Sequence, residues 1–310
     1  MYIALNNNCW FTNIGEAFID IGLKTLLSNI LSREDNIQIG SVSPMSKFYL
    51  PSEAKNRALF NGDFFIPDML MLSGMYAVSE MFTTNNMFGT FMYAKKIKKL
   101  GGQIAFVGLG GLEYNEKERD DVLRGMELLQ PLFIVTRDQL TFNLYSDYFE
   151  CIKGLDCAFW LEEASNPIGM RHKEYVVSTF NRSDEPEEIA MMKDVIHPWH
   201  MQYSLDSKKT KYLSKQNLFV SDSPYEYLTL YANASRVYTD LVHATIPSLL
   251  YKTPVKYWKY DNRRNAFEHI EYLKKDKEGF LSINKKLLQL EKESIEKYIY
   301  KQIIHFANTQ

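Results

Sequence analysis

The sequence predicts an α/β protein built from two tandem, doubly wound Rossmann-like domains that face a central cleft. Short apolar runs alternate with amphipathic segments of helical periodicity along most of the chain. The length of 310 residues suits two domains of about 150 residues each. Glycine, hydrogen-bonding and cationic residues gather in the turns that follow the predicted strands. Together these three observations favour two parallel sheets, each covered by helices.

The amino-terminal half alternates predicted strands with predicted helices. Apolar residues recur at helical spacing in the predicted helix Glu16–Leu31, and the predicted helix Phe91–Leu100 stops at Gly101-Gly102. Two further helices are predicted at Glu116–Leu129 and Gln139–Tyr148. The predicted strands are Tyr2–Leu5, Ile37–Ile39, Met69–Leu72, Gln103–Leu109 and Leu132–Thr136. This order predicts a parallel sheet with helices on both faces.

A second alternation follows the aperiodic segment Glu162–Lys173, where we place the domain boundary. Its predicted strands are Tyr175–Phe180, Asn217–Val220, Arg236–Tyr238 and Val255–Trp258. Its predicted helices are Glu185–Val195 and Tyr225–Tyr231, and residues 281–306 read as one charged helix. The predicted division is an amino-terminal domain of residues 1–165, a second domain of residues 172–280, and a helical segment of residues 281–310 that packs back on the first domain.

Composition excludes several classes of protein. A net charge of −2 provides no global basic field for nucleic acid, so we expect no nucleic-acid partner. Cys9, Cys151 and Cys157 lack metal-binding spacing and cannot all pair, which is typical of a reducing compartment. We interpret each cysteine as a small buried hydrophobe and expect no metal site. Asn6-Asn7-Asn8 interrupts any apolar run after Met1, so we expect a cytoplasmic protein without a transmembrane segment.

The segment from Ser235 to Val255 is the most informative part of the chain. It predicts a strand, a polar turn, a helix, and a Thr-Pro turn into another strand. His243 lies at the turn where the helix begins, and we interpret Pro247 as a residue of the first turn, where proline is tolerated. Unpaired N–H groups and the helix dipole favour an anion at such a place. The alternative is a structural histidine that is hydrogen-bonded within the fold.

The turns after the other strands supply further candidates, because doubly wound domains bind ligands at the carboxyl ends of their strands. Arg137 offers a planar fork of donors for carboxylate or phosphate, and its alternative is an ion pair with a neighbouring acid such as Asp138. Arg182 is a second candidate cation, and its alternative is an exposed loop arginine. The other candidate substrate-binding residues are Asn13, Gly15, Glu16, Gly74, Gly110, Gly111, Asp156, Thr239 and Thr245.

Several of these candidates have an equally simple structural interpretation. Asn13 and Gly15 either let backbone N–H groups approach a ligand or form an ordinary turn and N-cap. The pair Gly110-Gly111 lacks the spacing of a dinucleotide fingerprint. Asp156 suits a buried structural carboxylate as well as a ligand to an acceptor, and Asp138 suits the cap of the following helix.

The run His197-Pro198-Trp199-His200 resembles a metal pair only superficially. Its spacing fits no common zinc pattern. We interpret it as an exposed loop, in which Trp199 could stack on a sugar face.

Five segments carry motifs in a recognisable order. They are Asn13-Ile14-Gly15-Glu16, Gly108-Leu109-Gly110-Gly111, Val135-Thr136-Arg137-Asp138, Gly154-Leu155-Asp156-Cys157-Ala158-Phe159 and Thr239–Pro254. In that order they resemble the Asn-x-Gly-Asp turn, the glycine turn, the Val-Arg-Asp strand end, the Pro-Asp-x-Ala-Phe segment and the Arg-Leu-His…Pro-Val signature of the polysaccharide pyruvyl transferase family. The chain departs from the family at three places: Glu16 replaces aspartate, Ser73-Gly74-Met75 replaces three glycines, and Leu241 replaces arginine.

The resemblance implies a GT-B-like fold and a transferase of exopolysaccharide biosynthesis. Such an enzyme moves a pyruvyl group from phosphoenolpyruvate to a hydroxyl group of a sugar or a lipid-linked oligosaccharide, without a cofactor. The resemblance implies that His243 is the acid, base or phosphate ligand and that Arg137 is a catalytic cation. It places the acceptor on the first domain and the donor on the second, in the cytoplasm or at a membrane surface.

Two other functions remain open at this point. One is a GT-B glycosyltransferase that uses a nucleotide sugar. The other is a non-catalytic relative that binds a glycan, which the loss of arginine at Leu241 would favour.

Overall fold

The computed structural model describes residues 1–6, 13–43, 52–55, 57, 59, 64–79, 82, 89–170, 174–200, 212–259 and 267–309. The chain divides into two compact units. The first unit comprises Met1–Cys9, Leu23–Cys157 and Gln289–Gln310, and the second comprises Trp10–Gly22 and Ala158–Leu288. The division into residues 1–165, 172–280 and 281–310 stays a prediction.

The first unit contains a six-stranded parallel sheet. Its strands are β1 (Tyr2–Asn6), β2 (Gln38–Val42), β3 (Met69–Ser73), β4 (Gln103–Leu109), β5 (Phe133–Thr136) and β6 (Cys151–Lys153). Their order across the sheet is β2-β1-β3-β4-β5-β6, and every pair is parallel. β3 is buried along its whole length, which explains its uninterrupted apolar sequence. The predicted parallel sheet is confirmed, with β6 as a strand that the sequence analysis missed.

Helices α1 to α5 are Ile14–Ile30, Ser52–Lys55, Gly89–Lys99, Glu116–Leu129 and Gln139–Tyr145. The ends of α4 show why the sequence predicted it so closely. Asn115 and Glu118 form a reciprocal capping box at its start, and Gln130 ends it in the left-handed conformation with φ of 42°. Val122 and Met126, one turn apart on α4, pack with Ile104 of β4 in the core of this unit.

The second unit contains a seven-stranded sheet with a parallel centre. Its strands are β7 (Val176–Thr179), β8 (Val195–Pro198), β9 (Leu218–Phe219), β10 (Arg236–Thr239), β11 (Val255–Tyr257), β12 (Leu273–Lys275) and β13 (Leu281–Ile283). The order across the sheet is β12-β13-β11-β10-β7-β8-β9. β13 pairs antiparallel with both β12 and β11, and the other pairs are parallel.

The helices of the second unit begin with α6 (Leu161–Ala164) and α7 (Glu187–Ala190). α8 (Pro224–Asn233) and α9 (Val242–Leu250) contact each other. Ile246 and Leu250 of α9 are fully buried. The last helix, α10 (Lys285–Ala307), begins in the second unit and ends in the first. Among the described helices, none combines the length and the apolar character that a membrane crossing requires.

The structure corrects the predicted helix Glu185–Val195. Only the single turn of α7 is helical, and it starts after Pro186. Asp194 then takes a left-handed conformation with φ of 55°, which ends any helix. The β-branched pair Val195 and Ile196 follows and joins β7 in parallel register as β8. His197 and Pro198 therefore belong to a strand, and the interpretation of residues 197–200 as an exposed loop was wrong.

Two further predictions were wrong in their boundaries. α9 begins at Val242 with Leu241 as its N-cap, so Pro247 lies inside the helix and does not mark its start. Because proline has no N–H group, residue 247 cannot donate the usual helical hydrogen bond to the carbonyl group of His243. The predicted helix over residues 281–306 starts at Lys285, because Leu281–Ile283 forms a strand that pairs with β12 and β11.

Candidate active site

The second sheet reverses its strand order between β7 and β10. From β7 the chain moves outward through β8 and β9, and it then returns to place β10 on the other side of β7. In open α/β sheets, ligands bind outside the carboxyl ends of the strands at such a switch point. The loops that leave β7 and β10 there include Asn181 and Asp240.

These two loops are joined by the buried carboxylate of Asp240. Its oxygens accept the backbone N–H groups of Asn181 at 3.2 Å, Arg182 at 3.0 Å and Ser183 at 2.7 Å, and the Ser183 hydroxyl donates at 2.9 Å. Three successive N–H groups that converge on one anion form a backbone nest. Burial raises the pKa of Asp240, and these hydrogen bonds oppose the rise. The nest that an anionic ligand would use is thus filled by the chain itself.

The first turn of α1 lies in this same unit and is capped by Asn13. The Asn13 side-chain oxygen accepts the Gly15 N–H group at 3.0 Å, and the Asn13 carbonyl group accepts the Glu16 N–H group at 3.1 Å. The Ile14 N–H group donates to the carbonyl oxygen of His200 at 3.0 Å. These backbone donors are already used, so the structure favours the N-cap interpretation of Asn13 over direct contact of these N–H groups with a ligand.

His200 follows β8 and joins three parts of the unit. Its carbonyl group holds the start of α1, its N–H group donates to the side chain of Asn181 at 2.9 Å, and its Nε2 lies 2.5 Å from the hydroxyl oxygen of Tyr231 on α8. Its ring packs edge-on against Phe18 of α1 with a centroid distance of 6.0 Å. His200 is 2% exposed. The sequence suggested an exposed loop for His200, because it did not reveal the strand β8 that precedes this residue.

The charge state of His200 follows from its surroundings. Burial, and to a lesser extent the electrostatic interaction with the nearby His243, lowers the pKa of His200 to about 3. Burial also raises the pKa of Tyr231 well above its usual range. Both groups therefore stay neutral at physiological pH. The pair acts as a neutral hydrogen-bonded support and carries no charge for a ligand.

His243 is the second residue of α9 and is half-buried. A Cβ atom on Gly15 would lie 2.6 Å from Nδ1 of His243. No side chain fits that space, so the glycine allows the first turn of α1 to lie directly against the imidazole ring. The structure thus brings together Asn13, Gly15 and His243.

Glu16 lies in the same first turn and has an unusual charge state. Burial, with the adjacent carboxylate of Asp20, raises the pKa of Glu16 to about 7, although a hydrogen bond from the Asn13 side chain opposes the rise. Asp20 is 4% exposed, one turn further along α1. Glu16 therefore exchanges a proton near neutral pH, which is a property of catalytic carboxyl groups.

The loop before His243 contains no cation. Leu241 is buried, and its carbonyl group accepts hydrogen bonds from the N–H group and the hydroxyl group of Thr245, at 3.1 and 2.9 Å. The hydroxyl group of Thr239 donates to the Thr179 carbonyl group at 3.1 Å and accepts the Leu241 N–H group at 2.9 Å. The two candidate residues, Thr239 and Thr245, are fully buried. They hold the loop and do not present hydroxyl groups to a ligand.

The other predicted site residues belong to the first unit. Arg137 and Asp156 form an ion pair of 2.6 Å with exposures of only 3% and 2%. The guanidinium group also lies over the ring of Tyr76, 4.4 Å from its centroid. The partner of Arg137 is thus Asp156 and not Asp138. This geometry favours the structural interpretation of both Arg137 and Asp156.

The glycines of this unit make room for those side chains. A Cβ atom on Gly110 would lie 2.6 Å from Nε of Arg137, and one on Gly111 would lie 2.7 Å from the hydroxyl oxygen of Thr141. Gly74 takes a left-handed conformation with φ of 47° directly after β3. Asp138 caps α5 by accepting the Thr141 N–H group at 2.7 Å, as predicted.

A family model described as polysaccharide pyruvyl transferase matches residues 13–262. The chain belongs to the polysaccharide pyruvyl transferase family. The match begins at Asn13, the cap of α1, and extends past His243, so it includes every residue described above at the switch point. Among curated protein sequences, none gives a significant match.

Solved structures of similar fold support the architecture. S. aureus MnaA, in a co-structure with UDP, has a TM-score of 0.52 and 15% sequence identity, over 97% of this chain and 90% of that chain. A UDP-N-acetylglucosamine 2-epimerase has a TM-score of 0.53 and 11% identity, over 97% and 89% of the two chains. The enzyme from Neisseria meningitidis bound to UDP-GlcNAc has a TM-score of 0.50 and 12% identity, over 86% and 85%. This protein, a member of the polysaccharide pyruvyl transferase family, therefore has a GT-B-like fold of two Rossmann-like domains.

The candidate residues fall into two groups. Asn13, Gly15, Glu16 and His243 come together in the second unit, whereas Gly74, Gly110, Gly111, Arg137 and Asp156 lie in the first. Arg182 contributes its backbone N–H group to the nest and is half-buried. Within the described parts of the chain, no cluster of three or more His, Cys, Asp or Glu residues could hold a metal ion.

The contact between Gly15 and His243 is testable by a double-mutant cycle. We expect Gly15→Ala to destabilise the protein by about 1–3 kcal/mol, because the added methyl group overlaps the imidazole ring. In a His243→Ala background the same substitution should cost much less, since the ring is gone. Urea unfolding of the four proteins measures both terms. Equal costs in both backgrounds would contradict the contact.

The pair of Arg137 and Asp156 is testable in the same way. We expect Arg137→Met to destabilise the protein by about 3–5 kcal/mol, because it leaves a buried carboxylate without its cation. Adding Asp156→Asn should recover part of this loss. Thermal unfolding of the single and double variants is the measurement. A single variant with an unchanged melting temperature would show that the ion pair is not structural.

Proposed function

We propose that this protein transfers the pyruvyl group of phosphoenolpyruvate to hydroxyl groups of a sugar in a cell-surface polysaccharide precursor. The acceptor is a sugar or a lipid-linked oligosaccharide, and the reaction takes place in the cytoplasm or at its membrane surface. The observation that carries the proposal is the position of His243. It stands in the first turn of α9, at the switch point of the second sheet, with the start of α1 packed against it through Gly15.

The reaction makes three chemical demands on the site. The phosphate and carboxylate groups of the donor need positive potential, C3 of the donor needs a proton, and the acceptor needs hydrogen-bonding groups. The imidazole of His243 offers a ring nitrogen that can hydrogen-bond to an oxyanion, and imidazole is a common general acid or base in enzymes. The N-terminus of α9 adds favourable potential for an anion. His200 cannot serve as the acid, because its pKa of about 3 keeps it neutral.

This proposal assigns Arg137 no direct part in the chemistry. The guanidinium group is buried and neutralised by Asp156, so its charge is already compensated. The place of the family arginine is taken by buried Leu241. Recognition of the donor therefore depends on His243 and the helix N-terminus more heavily than the family pattern implies.

A non-catalytic, glycan-binding role is the second candidate. The specific observation in its favour is the apolar Leu241 in the loop before His243, together with the internal pairing of Arg137. A nucleotide-sugar glycosyltransferase is a third possibility on the same fold. The experiment below separates all three.

We expect phosphoenolpyruvate to raise the melting temperature of the purified protein. A ligand at about one hundred times its dissociation constant stabilises the fold by roughly 2.7 kcal/mol. The shift should be lost in His243→Ala, which removes the proposed phosphate ligand. UDP, CMP and GDP serve as the competing probes, and thermal unfolding is the measurement.

A matched control is His305→Ala, because His305 is exposed in the last turn of α10. This variant should keep the full response to phosphoenolpyruvate. Stabilisation by a nucleotide alone would overturn the proposal in favour of a glycosyltransferase. Binding of oligosaccharide without any response to phosphoenolpyruvate or nucleotide would favour the non-catalytic relative.

A further inference from the structure

Glu16 is the ionisable group at this site that the proposed function has not yet used. It occupies the first turn of α1, next in sequence to Gly15, whose Cα faces the His243 ring. Its carboxyl group is hydrogen-bonded to the side chain of Asn13, the same side chain that caps the helix. Asn13 thus connects Glu16 to the backbone that touches His243.

Among the described residues near the start of α1 and the switch point, the carboxyl groups of Glu16, Asp20 and Asp240 differ in accessibility. Asp240 is 2% exposed and holds the backbone nest, and Asp20 is 4% exposed. Glu16 is only half-buried. Among the three, Glu16 alone combines a partly desolvated carboxyl group with access to a ligand.

The charges that face Glu16 explain why it holds a proton. Asp20 of its own helix is a like charge and disfavours the carboxylate, as does burial. The neutral His200 is hydrogen-bonded through its carbonyl group to the Ile14 N–H group, two residues before Glu16. His243 of α9 lies against Gly15, the residue before Glu16. The dipole of α1 and the hydrogen bond from Asn13 favour the ionised form of Glu16, but burial and Asp20 have the larger effect on its pKa. The resulting pKa of about 7 suits a group that gives and takes a proton in each cycle.

We propose that Glu16 is a second catalytic residue of this site, which donates a proton to C3 of the donor while His243 accepts the proton of the attacking sugar hydroxyl group. The inference rests on the proposed function. A protonated Glu16 has a further effect, because a neutral carboxyl group does not repel the anionic donor.

The two residues complete the reaction with balanced proton transfers. In the first step the sugar oxygen bonds to C2, the electron pair of the C2=C3 bond takes the proton of Glu16, and the hydroxyl proton passes to His243. In the second step another hydroxyl oxygen of the sugar bonds to C2 and displaces the phosphate group. The proton of this second hydroxyl group passes to the Glu16 carboxylate, and the departing phosphate takes the proton from His243. Both residues regain their starting state, and the products are the ketal and inorganic phosphate.

The test compares Glu16→Gln with Glu16→Asp. Phosphate release from phosphoenolpyruvate is measured with a panel of p-nitrophenyl hexosides that carry a free 1,3-diol. We expect Glu16→Gln to lose about 10²–10⁴-fold in rate, the usual contribution of a general acid. Glu16→Asp should keep most of the rate, since it restores a carboxylic acid. The thermal shift with phosphoenolpyruvate should remain in both variants.

The pH profile provides a readout that a merely structural role would not move. The acid form of Glu16 is populated below its pKa of about 7, so the wild-type rate should fall about tenfold per pH unit above that value. Glu226→Gln is the matched control, because Glu226 is an exposed first-turn glutamate of α8 in the same unit. It should leave rate and profile unchanged.

Each remaining outcome is decisive. A Glu16→Gln variant that binds phosphoenolpyruvate and turns over within threefold of wild type overturns the role of Glu16 and leaves the proposed function intact. A wild-type protein that neither binds phosphoenolpyruvate nor releases phosphate overturns the proposed function and this inference with it. If Glu16→Gln fails to fold, the wild-type pH profile decides: a rate that stays constant from pH 6 to pH 9 overturns the inference.

Discussion

The candidate site depends on one close contact, the packing of the first turn of α1 against the imidazole ring of His243. Gly15 permits that contact, since a Cβ atom there would come within 2.6 Å of the ring. The hydrogen bond from the Ile14 N–H group to the His200 carbonyl group fixes the turn at the required place. His200 is in turn held by Asn181 and Tyr231, and Asn181 stands in the loop bound by Asp240. These contacts thus form a closed circuit, which runs from the start of α1 through His200 and Asn181 to Asp240, in the loop that leads to His243.

The electrostatics of this circuit differ from those of an ordinary anion site. Its backbone nest is filled by the carboxylate of Asp240, its second histidine is kept neutral by burial, and Leu241 provides no charge. The positive potential at this site is thus that of the α9 N-terminus, where His243 stands. A carboxyl group that is partly protonated near neutral pH, such as Glu16, opposes an anionic ligand less than a fully ionised one would.

Much of the fold could be predicted from the sequence, because local signals there agree with the tertiary structure. β4 and α4 have their predicted boundaries, which follow from a continuous apolar run and from the capping residue Asn115. The failures occurred where local signals conflicted with sheet pairing. Glu187–Ala190 and Val195–Pro198 merged into one predicted helix, since nothing in the composition announces the left-handed Asp194 between them.

The site could be predicted in part, for a similar reason. Gly15 and His243 were predicted as site residues from their positions at the starts of helices, and the structure places them in contact. The pairing of Arg137 with Asp156 depends on residues 19 apart in sequence, and sequence spacing cannot show that a carboxylate lies 2.6 Å from the guanidinium group. His200 and the nest on Asp240 depend on contacts between distant loops.

The central claim is that His243 contacts the donor, and NMR of the ¹⁵N-histidine-labelled protein tests it most directly. Added phosphoenolpyruvate should shift the ring-nitrogen signals of His243 and leave those of His305 in place. A ligand-induced change elsewhere, with the His243 signals unmoved, would contradict the account.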